Sequence, residues 1–277
     1  MGRIATSIVA ATLAITSVAS YGTSAMAGEV LERVLAAKTL KIAVGTDWGP
    51  ISSLNEKHEL VGFDVDVAKA IARFLGVKAE FVTPGWDVIA AGNWGNRWDL
   101  SMGQATPTKE RAEKFNFTTN YFFERQVVVV HNTSKYSTPS DINGKTVGVG
   151  SGTLAEQYAN HTLTPNWLGA EPFDYKFKAG DVKVYTSTNV AFDDLRLGDG
   201  IRLNAVITDS TIAQTAIKAG YPFKTIGALL SAPGAIMTMK GDQEFTDKIS
   251  AAIKSMQNDG TLSELSKQWY GSDHSAE

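Results

Sequence analysis

Apolar residues along this chain recur at two alternating spacings. Dense short runs, LKIAVGT (40–46), KAEFVTP (78–84) and RWDLSMG (97–103), read as strands. Between them VGFDVDVAKAIARFLG (61–76) repeats its apolar residues every three or four positions. That period predicts a helix with Val65, Ala68, Ile71, Ala72 and Leu75 on one face. WDVIAAGNWG (86–95) predicts a shorter helix, and RAEKFNFT (111–118) leads into the strongly apolar RQVVVVHN (125–132), expected to be a buried strand. The alternation then restarts. KTVGVGSGTLAEQYAN (145–160) reads as strand, glycine turn and helix, and VKVYTS, TNVAFDDLRLG, LNAVITD and STIAQTAIKAG continue it. GAIMTMKGD (234–242) and two final helices, QEFTDKISAAIKSMQNDG and TLSELSKQWYG, close the chain.

Such a succession predicts an α/β protein of two lobes, each a mostly parallel sheet flanked by helices. The first lobe is expected over 28–131, the second over 132–226, and a return to the first over 227–277. The chain would then cross twice, near Asn132 and near Ile226 to Ser231. Two thin connections form a two-segment hinge and leave a cleft between the lobes.

Residues 1–27 stand outside this pattern. Arg3 precedes the uncharged IATSIVAATLAITSVAS, and AMA ends at Ala27. These features predict an export signal peptide cleaved after about Ala27, and a periplasmic mature protein. The absence of cysteine removes disulfides, thiolate metal sites, a cysteine nucleophile and a lipid-anchored signal. A net charge of -3 gives no basic footprint for nucleic acid. His58, His131, His161 and His274 are dispersed without ligand spacing, so no metal and no cofactor is expected.

Several polar residues fall at the ends of predicted elements. In VGVGSGT (147–153), Thr153 stands where the third glycine of a dinucleotide fingerprint belongs, and no Lys-Ser or Lys-Thr pair follows as in a phosphate loop. Two readings remain: a helix start offering N–H groups and the Thr153 hydroxyl to an anion, or Thr153 simply capping the helix. Arg111 opens a helix, where the macrodipole disfavours a cation. It is either a solvated side chain or, beside the hydroxyls of Thr106 and Thr108, a bidentate partner for a carboxylate. Asp209 ends the apolar run AVIT, at the strand end where ligands collect in open α/β sheets, and could equally cap the next helix. Trp48 and Trp86 fall in loops after the first two strands, where they either fill core edges or line a pocket. Asp47 is a site candidate or a turn residue.

These residues carry a resemblance. GFDVD within VGTDWGPISSLNEKHELVGFDVDVAKAIARFLGVKAEFV, then ATPTKERAEKFNFTTNYF, INGKTVGVGSGTLAEQYA and DGTLSELSKQWYG occur in the order seen in type II periplasmic solute-binding proteins of the polar amino-acid family. The resemblance spans almost all of 29–273. It implies a soluble carrier, not an enzyme, that closes on an amino acid and delivers it as a monomer to the permease of an ABC importer. By position it implies that Arg111 and Thr106 hold the ligand's α-carboxylate and that Thr153 touches it after closure. Asp209 would pair with the α-ammonium, which Gln104 also faces, Trp48 and Trp86 would sandwich the side chain, and Asp47 would face a distal amine.

Three features depart from the family pattern. Pro107 removes a backbone donor beside Thr106, the loop GPISS lacks the usual aromatic, and residues 161–180 form an unusually long segment at the expected cleft rim. The alternative is an enzyme of the same fold, such as a cyclohexadienyl dehydratase, which adds a general acid in the cleft.

Overall fold

The computed structural model describes Gly2, residues 28–170 and residues 172–276. Apart from Gly2, the expected signal peptide lies outside the described residues. The first half contains helix α1 (Glu29–Ala37), strand β1 (Thr39–Ala43), a small hairpin of β2 (Ser53–Leu54) and β3 (Leu60–Val61), and helix α2 (Phe63–Leu75). Strand β4 (Lys78–Val82), helix α3 (Trp86–Ala91), strand β5 (Leu100–Ala105), helix α4 (Lys109–Lys114) and strand β6 (Phe115–Phe117) follow. The second half runs through β7 (Phe122–His131), β8 (Thr146–Gly150), α5 (Leu154–Ala159), β9 (Asp181–Tyr185), α6 (Thr188–Leu195), β10 (Ala205–Asp209) and α7 (Ser210–Lys218). The long β11 (Phe223–Met239) then leads back to α8 (Gln243–Asn258) and α9 (Thr261–Tyr270).

The strand order is β4-β1-β5-β11-β7-β10-β8-β9. At one end β4, β1 and β5 run parallel, and at the other β10, β8 and β9 do so. Antiparallel β11 and β7 join the two groups. Each group has its own apolar packing. One cluster gathers Leu40, Ile42, Ile71, Phe245 and Ile249, and another gathers Val128, Val147, Val149, Tyr158 and Ile207. The fold is thus a mixed α/β one, a large sheet with a parallel group of strands at each end, each group on its own core.

The pairing draws the lobe boundaries away from the expected positions. Val127 to Val130 pack into the cores of the second lobe, and β7 pairs with β10 over Gln126 to Val129. Leu229 and Ala232 of β11 remain in those cores, whereas Ile236 and Met237 lie in the first lobe. The chain passes between the two groups where Phe123 and Glu124 pair with Pro233 and Ala232, eight residues or more before Asn132 and immediately after Ser231. A run of four valines can face two apolar layers at once, and here those layers are the two clusters of the second lobe.

Local chemistry explains how the first lobe holds the site. All five residues predicted for the apolar face of α2 are buried. Gly62 before it has φ 139, and a Cβ there would stand 2.5 Å from the Ile51 carbonyl oxygen, so only glycine fits the approach. Asp242 accepts from the N–H groups of Val30 and Leu31 at 2.8 and 3.2 Å and from Phe245 N–H at 2.8 Å. One carboxylate thereby caps both α1 and α8.

Candidate functional site

Between the lobes lies a cavity of about 310 Å³, within the size range of small-ligand sites. Its walls include all eight candidates from the sequence: Asp47, Trp48, Trp86, Gln104, Thr106, Arg111, Thr153 and Asp209. They arrive from loops and element ends at the carboxyl edges of the parallel strands, as in other open α/β sheets.

Arg111 is buried in α4. The helix starts at Thr108, whose hydroxyl accepts from the Arg111 N–H at 3.3 Å and fixes that first turn. The guanidinium donates from Nη1 to the Thr106 carbonyl and from Nη2 to the Gly152 carbonyl, each at 2.9 Å. No carboxylate hydrogen-bonds to it among the described residues, and Trp86 lies 5.4 Å from its centre. Burial lowers its pKa to about 10, so it stays charged at neutral pH. A buried, preoriented guanidinium with free N–H groups suits an incoming carboxylate.

Asp209 reaches the cavity from the other lobe. It occupies the N-cap position of α7, yet its side chain makes no capping bond there. Gln126 Nε2 instead donates to its Oδ1. Burial, with the Glu124 carboxylate nearby, raises its pKa to about 7, while Gln126 and Arg111 oppose that shift. Its remaining surface opens into the cavity, where an ammonium group would favour the charged form.

The floor between these charges is set by Gly103 and Gln104. Asp64 on α2 is fully buried and accepts from the Gly103 N–H at 2.6 Å and from the Tyr121 hydroxyl at 2.9 Å. Tyr121 in turn accepts from the Gln104 N–H at 3.1 Å, and Gln104 Nε2 donates to Tyr270 at 2.9 Å. Gln104 thus spends a side-chain donor on the scaffold, and its backbone φ is 53. Trp48 and Trp86 form an edge-on pair with ring centroids 5.7 Å apart. Trp86 begins α3 instead of lying in a loop.

Thr153 lines the cavity but is engaged as a cap. Its hydroxyl donates to the Gly150 carbonyl at 2.7 Å and accepts from the Glu156 N–H at 3.2 Å. Glu156 Oε2 takes the Gly152 N–H at 2.6 Å, so that donor of the glycine turn is occupied within the protein. Asp47 is exposed at the rim, where Asn189 of the second lobe donates to its carbonyl and to its Oδ2 at 3.0 and 3.1 Å.

The lobes are closed on one another. Besides the Arg111 and Asn189 contacts, Trp86 Nε1 donates to the Gly152 carbonyl at 3.0 Å and Gln157 Nε2 to Glu110 Oε2 at 2.9 Å. The long 161–180 segment also crosses the rim. Lys109 N–H donates to the Thr164 carbonyl at 3.0 Å, and Asn166 N–H donates to the Pro107 carbonyl at 3.1 Å.

Asp64, Tyr121, Glu124, Gln126 and Asn189 escaped the sequence reading. For Asp64 a signal was available, because it shares the helical stripe of Ala68, Ile71 and Leu75 and so had to be buried.

A two-lobed α/β fold with a buried cation from one lobe and a half-buried acid from the other facing a shared cavity is an arrangement suited to a solute-binding protein. The chain belongs to the bacterial extracellular solute-binding proteins, family 3, which it matches over residues 40–272. It is 30% identical over 277 residues to the L-cystine-binding protein TcyJ of Escherichia coli (strain K12), covering 99% of this chain and 95% of that protein. Among solved structures it resembles an ancestral arginine-binding protein bound to arginine, with TM-score 0.72 and 32% identity over 84% of this chain and 99% of the other. It also resembles the ancestral amino acid-binding protein AncCDT-1, a precursor of cyclohexadienyl dehydratase, with TM-score 0.73 and 29% identity over 87% and 99%. Those likenesses agree with the type II two-lobed fold and with membership of the polar amino-acid group. No helix among the described residues is long and apolar enough to cross a membrane.

Proposed function

We propose that this chain is a periplasmic carrier that closes on a polar or basic amino acid, or a derivative of one, and delivers it to the permease of an ABC importer. The observation that carries this reading is that Arg111 of one lobe and Asp209 of the other open into the same interlobe cavity. A zwitterion needs countercharges of both signs at short separation, shielded from water. Here each lobe supplies one, so the ligand stabilises the closed form by touching both. Charge-assisted hydrogen bonds contribute about 1.5–3 kcal/mol each, and several of them suffice for micromolar or tighter binding, about -8 kcal/mol.

Arg111 and Thr106 take the α-carboxylate in this reading, and Asp209 takes the α-ammonium. Trp48 and Trp86 cover the side chain, and Gln104 shapes the floor. Thr153 acts mainly by holding the second-lobe turn, and Asp47 by clasping Asn189 at the rim, where it also favours a distal amine. Relatives named for arginine and for L-cystine support the amino-acid class. Export with cleavage after about Ala27, a monomeric state and the hinge at the β7–β11 crossing belong to the same proposal.

The test is titration of ligand-stripped protein and of Arg111→Ala with arginine and cystine. Wild type binds at least one of them, and Arg111→Ala loses at least a hundredfold in affinity with its melting temperature kept. Near-normal binding by the variant removes the assigned role.

A cleft dehydratase is the second reading. It rests on the pKa of about 7 at half-buried Asp209, suited to a general acid, and on the likeness to AncCDT-1. Incubation with prephenate or arogenate separates the two, since only the enzyme yields an aromatic product.

A further inference from the structure

Glu124 stands at the crossing between the lobes and belongs to none of the ligand contacts above. It is two residues from Gln126 on β7, so both side chains leave the same face of the strand, toward the start of α7. Gln126 donates to Asp209, and Ser210, the next residue, donates from its hydroxyl to Glu124 Oε1 at 2.6 Å. Arg125 N–H donates to the same Oε1 at 2.7 Å. Glu124 Oε2 is buried and has no hydrogen-bond partner among the described residues. Two carboxylates thus flank the start of α7, Asp209 in the cavity wall and Glu124 outside that wall with an oxygen that lacks a donor.

Arg111 on α4 is the cation that acts on Asp209, and Tyr270 on α9 feels Glu124, Asp209 and Asp64 on α2. Glu124 also lines a separate groove together with Arg125, Lys218, Asp273 and His274. Arg111 is turned to carbonyl oxygens, not to either acid. Enclosed like charges disfavour full ionisation of the pair, and a proton is the smallest relief.

We propose that Glu124 makes ligand capture a proton exchange: Asp209 keeps a proton while the cleft is empty, and the arriving ammonium expels it to solvent. The balance is Asp209 carboxylic acid plus ligand ammonium giving the carboxylate–ammonium pair plus one proton. Glu124 acts as a positioning residue, since it touches Asp209's surroundings and not the ligand. Capture is consequently weaker in acid, and the carrier reports external pH through its affinity. The inference rests on the assignment of the ligand ammonium to Asp209.

Calorimetric titration with L-arginine, whose own groups do not titrate between pH 5 and 7.5, tests it. Runs at pH 6 in two buffers of different ionisation enthalpy count the protons released. Wild type is expected to release close to one proton per ligand, with affinity falling up to about tenfold per pH unit of acidification below pH 7. Glu124→Gln keeps an oxygen for Ser210 and Arg125 N–H and removes the second carboxylate. It is expected to bind more tightly at pH 6, release little proton and lose the pH slope, whereas a purely structural role would leave the proton count unchanged. If arginine gives no heat, cystine is titrated the same way. Binding by wild type without proton release overturns this inference alone, and failure of both amino acids to bind removes the carrier reading together with it.

Discussion

Arg111 Nη2 and Trp86 Nε1, both in the first lobe, donate to one acceptor in the second, the Gly152 carbonyl, at 2.9 and 3.0 Å. Arg111, proposed above to hold the ligand's carboxylate, is therefore also a closure contact, and Trp86 shares the acceptor with it. Trp86→Phe retains much of the ring and loses the donor. A lost hydrogen bond of about 0.5–1.5 kcal/mol predicts roughly two- to tenfold weaker ligand binding. Small-angle scattering of the ligand-free variant is expected to show a more open average shape than wild type. Unchanged affinity and shape would mean that the shared carbonyl does not help hold the lobes together.

Gly103 lies at the carboxyl end of β5 with φ 112. A Cβ there would stand 2.7 Å from the Trp86 ring and 2.9 Å from the Trp48 ring. Gly103→Ala therefore combines backbone strain of about 1–3 kcal/mol with displacement of both tryptophans. A lower melting temperature and at least tenfold weaker binding are expected. Tryptophan fluorescence in the empty protein should change as well, because the rings pack on that Cα.

The periodic helices and strands that frame this floor were legible in the sequence, because their apolar spacing is a local property. α1 and the β2–β3 hairpin were not read. The hairpin strands are two residues each, too short for a period, and α1 is held by Asp242 more than 200 positions away. The first crossing falls earlier than expected because an unbroken valine run does not say which sheet will cover it. Arg111, Asp209 and the tryptophans could be placed at element ends, so their convergence on one cavity was foreseeable. Their partners were not. The Gly152 carbonyl, Asn189 and Glu124 gain meaning only when segments far apart in the chain meet.

Asp64 and Asp209 are both pushed up to about 7 by burial. Between pH 4 and 7 the folded protein thus holds protons that the unfolded chain has released. Their stabilising contribution is complete below about pH 4 and declines as pH rises through 7. Asp273, lowered to about 2, changes its contribution below this window. Asp64→Asn has no proton to lose. Its urea-unfolding free energy, measured without ligand from pH 4 to 7.5, should fall less steeply than that of wild type, by up to about 1.4 kcal/mol per pH unit. Parallel pH profiles for the two proteins would show that Asp64 titrates normally in the fold.

The segment 161–180 supplies a contact between lobes that the ligand does not mediate. Asn166 N–H reaches the Pro107 carbonyl and Lys109 N–H reaches Thr164, so this second-lobe loop is tied to both sides of Thr108, the residue that caps the helix bearing Arg111. In the proposed cycle, opening the cleft breaks these bonds along with those to the ligand, and the loop is therefore expected to slow release. Asn166→Pro removes one donor, because proline has no N–H. One hydrogen bond of about 0.5–1.5 kcal/mol, if lost wholly in the closed state, predicts a dissociation rate raised by roughly two- to tenfold with little change in association rate. Stopped-flow release of bound amino acid into excess competitor reads this directly. Equal dissociation rates in variant and wild type would mean that the loop follows the lobes without restraining them.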